Sequence, residues 1–306
     1  MPTVQEVLAR IAADVELLKR LLTPEPPAEA ETVEATPAEA GKRQRRAAVD
    51  LGPIPNYQDE AWPAALSPTQ FVHNEAAKQY RAYQIVDTIA LPTEDKTILD
   101  FGCGEGHVAA TLAEEAVKIV GYDKVRPDSW DTMSKGNLIF LSDFQQVAQH
   151  GPFDIIILFD VLDHMAEGQH VETLTKLGKL LADGGKIFIR THPWTARHGG
   201  HVYEQINKAY LHLALTDVEM ETLGLKPETA IRVVHPMATY EQWFKQAGLE
   251  VESKQPVRGD DLDSYFSGPL FERISQITWG GKVDADRAKK IMLNHFFDYW
   301  LKRPAH

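Results

Sequence analysis

From Thr97 to His192 the chain alternates between continuous apolar runs and stretches with helical periodicity. Short apolar runs fall at 97–101, 118–122, 137–141 and 154–159, and again at KIFIRTH, from Lys186 to His192. Between them lie segments that read as helices at 106–116 and 167–182, with a helical or turn segment at 143–150. The second helix ends in ADGG, a C-terminal stop signal at Gly184 and Gly185. A further helix at 74–90 precedes the first run. Strands that are apolar on both sides belong to a parallel sheet covered on both faces, not to a sandwich with one wet face. Beyond His192 the pattern predicts a long helix-like segment near 202–222, a helix at 239–247 and a strand at 249–256. A last strand at 272–279 and a helix at 284–301 complete the expectation. In that terminal helix Ile291, His295, Phe296, Tyr299 and Trp300 fall close to helical spacing.

The first sixty residues follow other rules. Val4, Leu8, Ile11, Val15, Leu18 and Leu22 form a heptad seam, opened by a Thr3–Glu6 capping box. Residues 24–40 hold four prolines, five glutamates and five alanines, with almost nothing to bury, so 23–59 reads as a disordered or extended linker. GKRQRR, Gly41 to Arg46, adds four positive charges to that linker. The division expected is therefore a tethered amphipathic or coiled-coil helix at 1–22, the linker, and one domain at 60–306. A tethered heptad points either to self-association or docking through residues 3–22, or to a helix packed on its own domain. Apolar residues at 43% and charged residues at 25% suit a globular protein. The net charge of -12 argues against a nucleic-acid partner, because backbone binding needs clustered positive charge. Cys103 is the one cysteine, which excludes an intramolecular disulfide and suits a cytoplasmic location. No apolar run approaches membrane-spanning length.

The stretch TILDFGCGEGHVAATLAE, Thr97 to Glu114, breaks at Gly102, Gly104 and Gly106 directly after a buried strand. Glycine there lets the backbone turn tightly and approach a ligand within contact distance. The spacing is neither the dinucleotide fingerprint nor a phosphate-cradling loop ending in G-K-[ST]. Asp123 ends the second run, where a carboxylate can take both hydroxyls of a ribose.

D-F-G-C-G-E-G, then G-Y-D, S-D-F, F-D-I-I-I-L-F-D-V-L-D-H and L-A-D-G-G-K together resemble the ordered motifs of the class I S-adenosylmethionine-dependent methyltransferases, over about residues 75–190. The resemblance implies a Rossmann-like α/β fold, a seven-stranded sheet with helices on both faces. It implies S-adenosylmethionine as cofactor. Asp100 and the Gly102–Cys103–Gly104–Gly106 loop would then hold its amino-acid end, Asp123 the ribose, with Lys124 beside the adenosine. Ser142 and Asp143 would face the adenine, and Asp160 would line the methyl-transfer cleft. The segment after the fourth run, F-D-V-L-D-H, lacks the Asn/Asp-Pro-Pro-aromatic tetrad of base methylation and is close to members acting on small molecules.

The acceptor side is expected from the segment beginning IRTHPWTARHGGHVY, a lid or insertion at about 190–235. It carries Arg190, His192, Arg197, His198, His201 and Tyr203 within a few turns of chain. Two uses compete. A histidine among them serves as general base, with Arg190 and Arg197 holding an anionic part of the acceptor. Alternatively His192, His198 and His201 bind a metal, completed by Asp163, His164 or His235. The base reading is preferred, with no metal expected. The function expected is methyl transfer to an oxygen or nitrogen of a small or polar molecule. The alternative is an assembly protein of the same fold, anchored through the N-terminal helix, with weak or lost activity.

Overall fold

The computed structural model describes residues 51–66, 74–89, 93–226, 234–259 and 267–304. The heptad at 1–22 and its tether to residue 50 lie outside the described residues. The sheet grows outwards from β1 (Thr97–Phe101), with β2 (Lys118–Tyr122) and β3 (Leu138–Leu141) on one side. On the other side stand β4 (Phe153–Phe159), β5 (Leu181–Thr191), β7 (Asn294–Lys302) and β6 (Glu250–Arg258). The order is β3-β2-β1-β4-β5-β7-β6. The first five strands pair in parallel, and β7 runs antiparallel to both its neighbours. The order reverses between β1 and β4, so a ligand site is expected beyond their carboxyl ends.

Alternate side chains of each central strand enter opposite layers, as the pleat demands. Leu99, Ile156, Leu158, Ile187 and Ile189 join one core with Leu174, Leu177, Tyr240 and Phe244. These last four belong to α5 (His170–Lys179) and α8 (Met237–Gln246). Ile98, Ile119, Ile155, Ile157 and Phe188 join the other core, with Ile85 and Ile89 of α1 (Glu75–Ile89) and Leu112 of α2 (His107–Leu112). Each fully buried Leu or Ile contributes about 1.5–3 kcal/mol, which is why both faces of these strands are apolar. The short helices α3 (Ser129–Met133) and α4 (Phe144–Val147) flank β3.

A third core lies around Tyr210, Leu211, Leu213, Met220, Phe271 and Ile274. It joins α6 (Leu211–Ala214) and α7 (Asp217–Thr222) to α9 (Pro269–Trp279) and α10 (Ala285–Met292). Arg273, 6% exposed, ties this core together. It donates to Ala214 O at 2.8 Å and Leu51 O at 2.7 Å, and pairs with Glu219. The folded body thus takes in residues 51–59, counted above with the linker. Tyr57 packs on the third core, and the Trp62 indole donates to Ala209 O at 2.8 Å.

Four expected elements differ. Residues 272–279 are helical, part of a helix entered through Pro269 and stopped at Gly280 that buries Phe271 and Ile274 about one turn apart. The terminal helix ends at Met292, and 294–302 is a strand. There Phe297, Tyr299 and Leu301 enter one core while Trp300 packs on Phe188 in the other, a period of two. The segment 202–222 is broken, because Tyr210 is left-handed at φ 57 and Leu215 is extended. A Thr216–Glu219 capping box then starts α7 afresh. Finally, ADGG does not end α5. Pairing passes from Phe153↔Leu181 to Ile155↔Lys186, so Ala182–Gly185 bulge out within β5.

Candidate active site

Beyond β1 the backbone turns at Gly102, whose φ is 81°. A Cβ there would lie 2.6 Å from Val161 Cγ2, so the loop can lie against the chain leaving β4 only as glycine. Gly102 N and Cys103 N donate to Tyr122 O at 2.7 and 3.0 Å, which fixes the loop to the end of β2. Asp123 adds to this clamp: its Oδ2 accepts from Gly104 N at 3.0 Å and its Oδ1 from Val125 N at 3.1 Å. Where a side chain at residue 104 would stand, no atom lies within 4 Å. Asp100 is buried, and its Oδ2 has no hydrogen-bond partner. Burial, then the charge of Asp123, pushes its carboxyl up to about 7, against the Ala109 amide that favours the anion. Burial also raises the Cys103 thiol, beside Asp100 and Asp123, so it is no nucleophile. Lys124, Ser142 and Asp143 are exposed at the carboxyl ends of β2 and β3, and Asp143 Oδ1 caps α4 through Gln145 N at 2.9 Å.

Two aromatic rings shape the floor of this loop. Trp130 stacks on Phe140 at 5.0 Å between centroids, and its indole donates to Gly104 O at 2.9 Å. From above, α1 reaches down: Lys78 pairs with Glu105, and Glu75 meets His107 at 3.0 Å.

Past β4 and β5 the polar groups converge. Asp160, at φ 55, follows β4, and Arg81 of α1 lies 3.5 Å from its Oδ2. Burial and the neighbouring Asp163 push the Asp160 carboxyl up to about 7, with Arg81 and Arg190 opposing. Asp163, fully buried, has His192 Nδ1 at 3.5 Å, His201 Nε2 at 3.6 Å and His164 Nε2 at 3.3 Å from its Oδ2. Its burial favours the neutral acid, but His201, His192 and His164 beside it hold the carboxyl below its usual range. Burial lowers His192 to about 4, although Asp163 works the other way, and carries His198 well below the ordinary histidine range.

The chain between His192 and Tyr210 is wound back by successive turns. Ala196 N bonds to Pro193 O, Gly199 N to Ala196 O and His201 N to His198 O, at 2.9–3.0 Å. His192, His198 and His201 are thereby brought together, with ring centroids 4.6 Å apart for the first pair and 5.2 Å for His192 and His201. Tyr203 lies edge-on to His201 at 5.6 Å, and burial raises its hydroxyl to about 12. His235 stands apart, edge-on to Trp243 at 4.8 Å.

Arg190 departs from its expected role. Its Nε and Nη2 both donate to Asp298 at 2.6 Å, directly across the β5–β7 ladder, between the rings of Phe159 and Phe296. The fork that would grip an anionic acceptor is on Asp298 instead. Arg197 donates through Nε to Ala64 O at 2.9 Å, fastening residues 60–66 to this segment.

A family model described as "Methyltransferase domain" matches residues 71–254, well over half of the chain. The chain belongs to the class I S-adenosylmethionine-dependent methyltransferases. The methyltransferase is 26% identical over 202 residues to a ubiquinone biosynthesis O-methyltransferase of Nitrosococcus oceani, covering 62% of this chain and 78% of that one. Over 105 residues it is 30% identical to the enzyme of the same name from Vibrio atlanticus, covering 31% of this chain and 43% of that one. Among solved structures it is similar to magnesium protoporphyrin IX methyltransferase from Synechocystis PCC 6803, at 16% identity and a TM-score of 0.44. That match covers 76% of this chain and 89% of the other.

The methyltransferase's own residues fit the family's cofactor, S-adenosylmethionine. Asp100 presents a buried carboxylate oxygen without a partner, and the space beside Gly104 is open. Three parts of this site escaped the sequence reading. Trp130 carries no motif, Arg81 is one charge on a helix face, and Asp298 falls in a segment whose spacing had suggested a helix.

Proposed function

We propose that this methyltransferase transfers the methyl group to a hydroxyl oxygen of a small polar molecule. The segment that follows β5 carries this reading: His192, His198 and His201 are 3%, 8% and 7% exposed. Polar side chains gathered out of solvent in this way suit a small acceptor better than a polymer, and the net charge of -12 opposes nucleic acid. The named O-methyltransferase relatives favour oxygen as the nucleophile.

The bound cofactor supplies an electrophilic methyl on a sulfonium. Asp100 and the Gly102–Gly106 loop hold its amino-acid end, and Asp123 binds the ribose hydroxyls. Lys124, Ser142 and Asp143 border the adenosine, and Asp160 lines the cleft. Methylating a hydroxyl would form its C–O bond at the expense of the cofactor's S–C bond, the electron pair going to sulfur, and the hydroxyl proton would have to pass to a base. His198 takes that proton; burial keeps its imidazole neutral and able to accept, while weakening it as a base. Tyr203, protonated up to about 12, donates a hydrogen bond to the acceptor. Arg197 adds positive charge in the same segment.

The test is a panel of small phenols and other hydroxyl compounds with the full chain and S-adenosylmethionine, read as methylated product by mass spectrometry. Product from a hydroxyl compound is expected. Methyl transfer to protein or RNA, with every small molecule inert, would overturn the reading.

A further inference from the structure

We propose that Asp163, His192 and His201 form a binding site for a divalent transition-metal ion of the zinc or ferrous class. Their donor atoms lie within 4.8 Å of one another, and all three residues are buried. Five polar atoms are involved: Asp163 Oδ1 and Oδ2, His192 Nδ1 and Nε2, and His201 Nε2. None makes a hydrogen bond of ordinary geometry; Asp163 Oδ2 faces the imidazoles of His164, His192 and His201 at 3.3–3.6 Å. Folded proteins seldom leave a buried polar atom without a hydrogen bond, and a cluster of such atoms points to a partner that binds them. An ion at the centre would satisfy three of them at once.

The spacing agrees with coordination. Ligands at about 2.0–2.1 Å from a tetrahedral ion stand about 3.3–3.4 Å apart. Asp163 Oδ2 is 3.5 Å from His192 Nδ1 and 3.6 Å from His201 Nε2, so both edges from the carboxylate are near that spacing, and all three donors lie within 4.8 Å of one another. Two imidazoles and one carboxylate suit zinc or ferrous iron, and three protein ligands leave a position open. His201 is held at φ 53, a backbone conformation uncommon for a residue with a side chain, and this places its ring against Asp163. His164, stacked on His201 at 5.0 Å, and His198 flank the site without completing the triad. The other cluster of this kind among the described residues, Glu75, Glu105 and His107, is largely exposed and already neutralised by Lys78.

Ion binding stands on these residues alone. The use of the open position, to hold the acceptor's oxygen beside the methyl group, rests on the transfer reading above. The site is tested on the full, tag-free chain stripped with a chelator. It is titrated with Zn2+, and with Fe2+ in the absence of oxygen, and read by calorimetry and by elemental analysis after gel filtration. One ion per chain is expected. Asp163→Asn and His201→Gln should each weaken binding more than about 100-fold, beyond the effect typical of second-layer groups, while His150→Gln keeps it. Circular dichroism checks that the variants are folded. Should they not fold, X-ray absorption of the Co2+-loaded wild type reads the ligands directly, and two imidazoles are expected. Sub-stoichiometric uptake, equal affinity in the folded variants, or a Co2+ spectrum without imidazole scattering would overturn the site. A stoichiometric ion in a chain that methylates no small molecule would keep this site and remove the proposed function.

Discussion

Asp100 should make cofactor binding depend on pH in a direction opposite to its effect on stability. Burial and the nearby Asp123 push its carboxyl up to about 7. A sulfonium and an α-ammonium nearby would favour the anion, so binding should expel the proton. If the ionised form alone binds, affinity rises about 15-fold from pH 5.5 to 7, close to one decade per unit at the acid end. Calorimetry in two buffers of different protonation enthalpy should show nearly one proton released per cofactor at pH 6. Burial and Asp163 push Asp160 up to about 7 as well, so Asp160→Asn separates the two: a slope that comes from Asp100 should survive it even if the affinity itself shifts. The stability effect has the other sign. A folded pKa above the unfolded 3.8 contributes stability that is full below pH 4 and lost as pH rises towards 7. The loss is about 4 kcal/mol at about 1.4 per unit. Asp100→Asn escapes it, offset by about 1–3 kcal/mol for a buried amide without a full set of partners. At pH 8 the cofactor-free variant should therefore melt higher by about 2–10 °C while binding cofactor at least tenfold more weakly. Affinity that is flat from pH 5.5 to 7, or a slope that survives Asp100→Asn, would refute the reasoning.

Other substitutions probe the remaining parts. Asp298→Ala strands Arg190, whose side chain is 13% exposed, and should cost about 3–5 kcal/mol. Thermal melts should show most of this restored in the Arg190→Met/Asp298→Leu pair. Gly102→Ala places a Cβ 2.6 Å from Val161 at φ 81; calorimetry should find weaker cofactor binding, partly rescued by Val161→Ala. Asp123→Ala removes the loop's clamp and one or two charge-assisted bonds to cofactor, each worth about 1.5–3 kcal/mol, so affinity should fall at least tenfold. His198→Asn should cut turnover on the identified acceptor by about 10²–10⁴-fold, with cofactor affinity unchanged by calorimetry.

The parallel half of the sheet was readable because its strands are buried on both sides and the glycines follow β1 directly. β7 was not, because Phe296, Tyr299 and Trp300 fit a helical stripe as well as a strand. Only the pairing with β5 and β6 shows that Phe297 and Tyr299 share a face while Trp300 takes the other. Losing β7 also hid Asp298, and with it the partner of Arg190. The gathering of Asp163 with His192 and His201 depends on β4 and β5 being neighbours and on the turns after Pro193. No spacing along the chain encodes that meeting.

The place of β7 also sets an order of events during synthesis. β6 is translated before β7, yet within the sheet its hydrogen-bonded neighbour is β7. Until Asn294–Lys302 leave the ribosome, β6 lacks that partner and the outer edge of β5 stays bare. Arg190 waits for Asp298 over the same interval. The half of the sheet from β1 to β4 has no such dependence and can assemble while translation continues. Chains arrested within this interval would expose an unpaired β5 edge, which gives a chaperone a defined surface to shield before the last strand slots in.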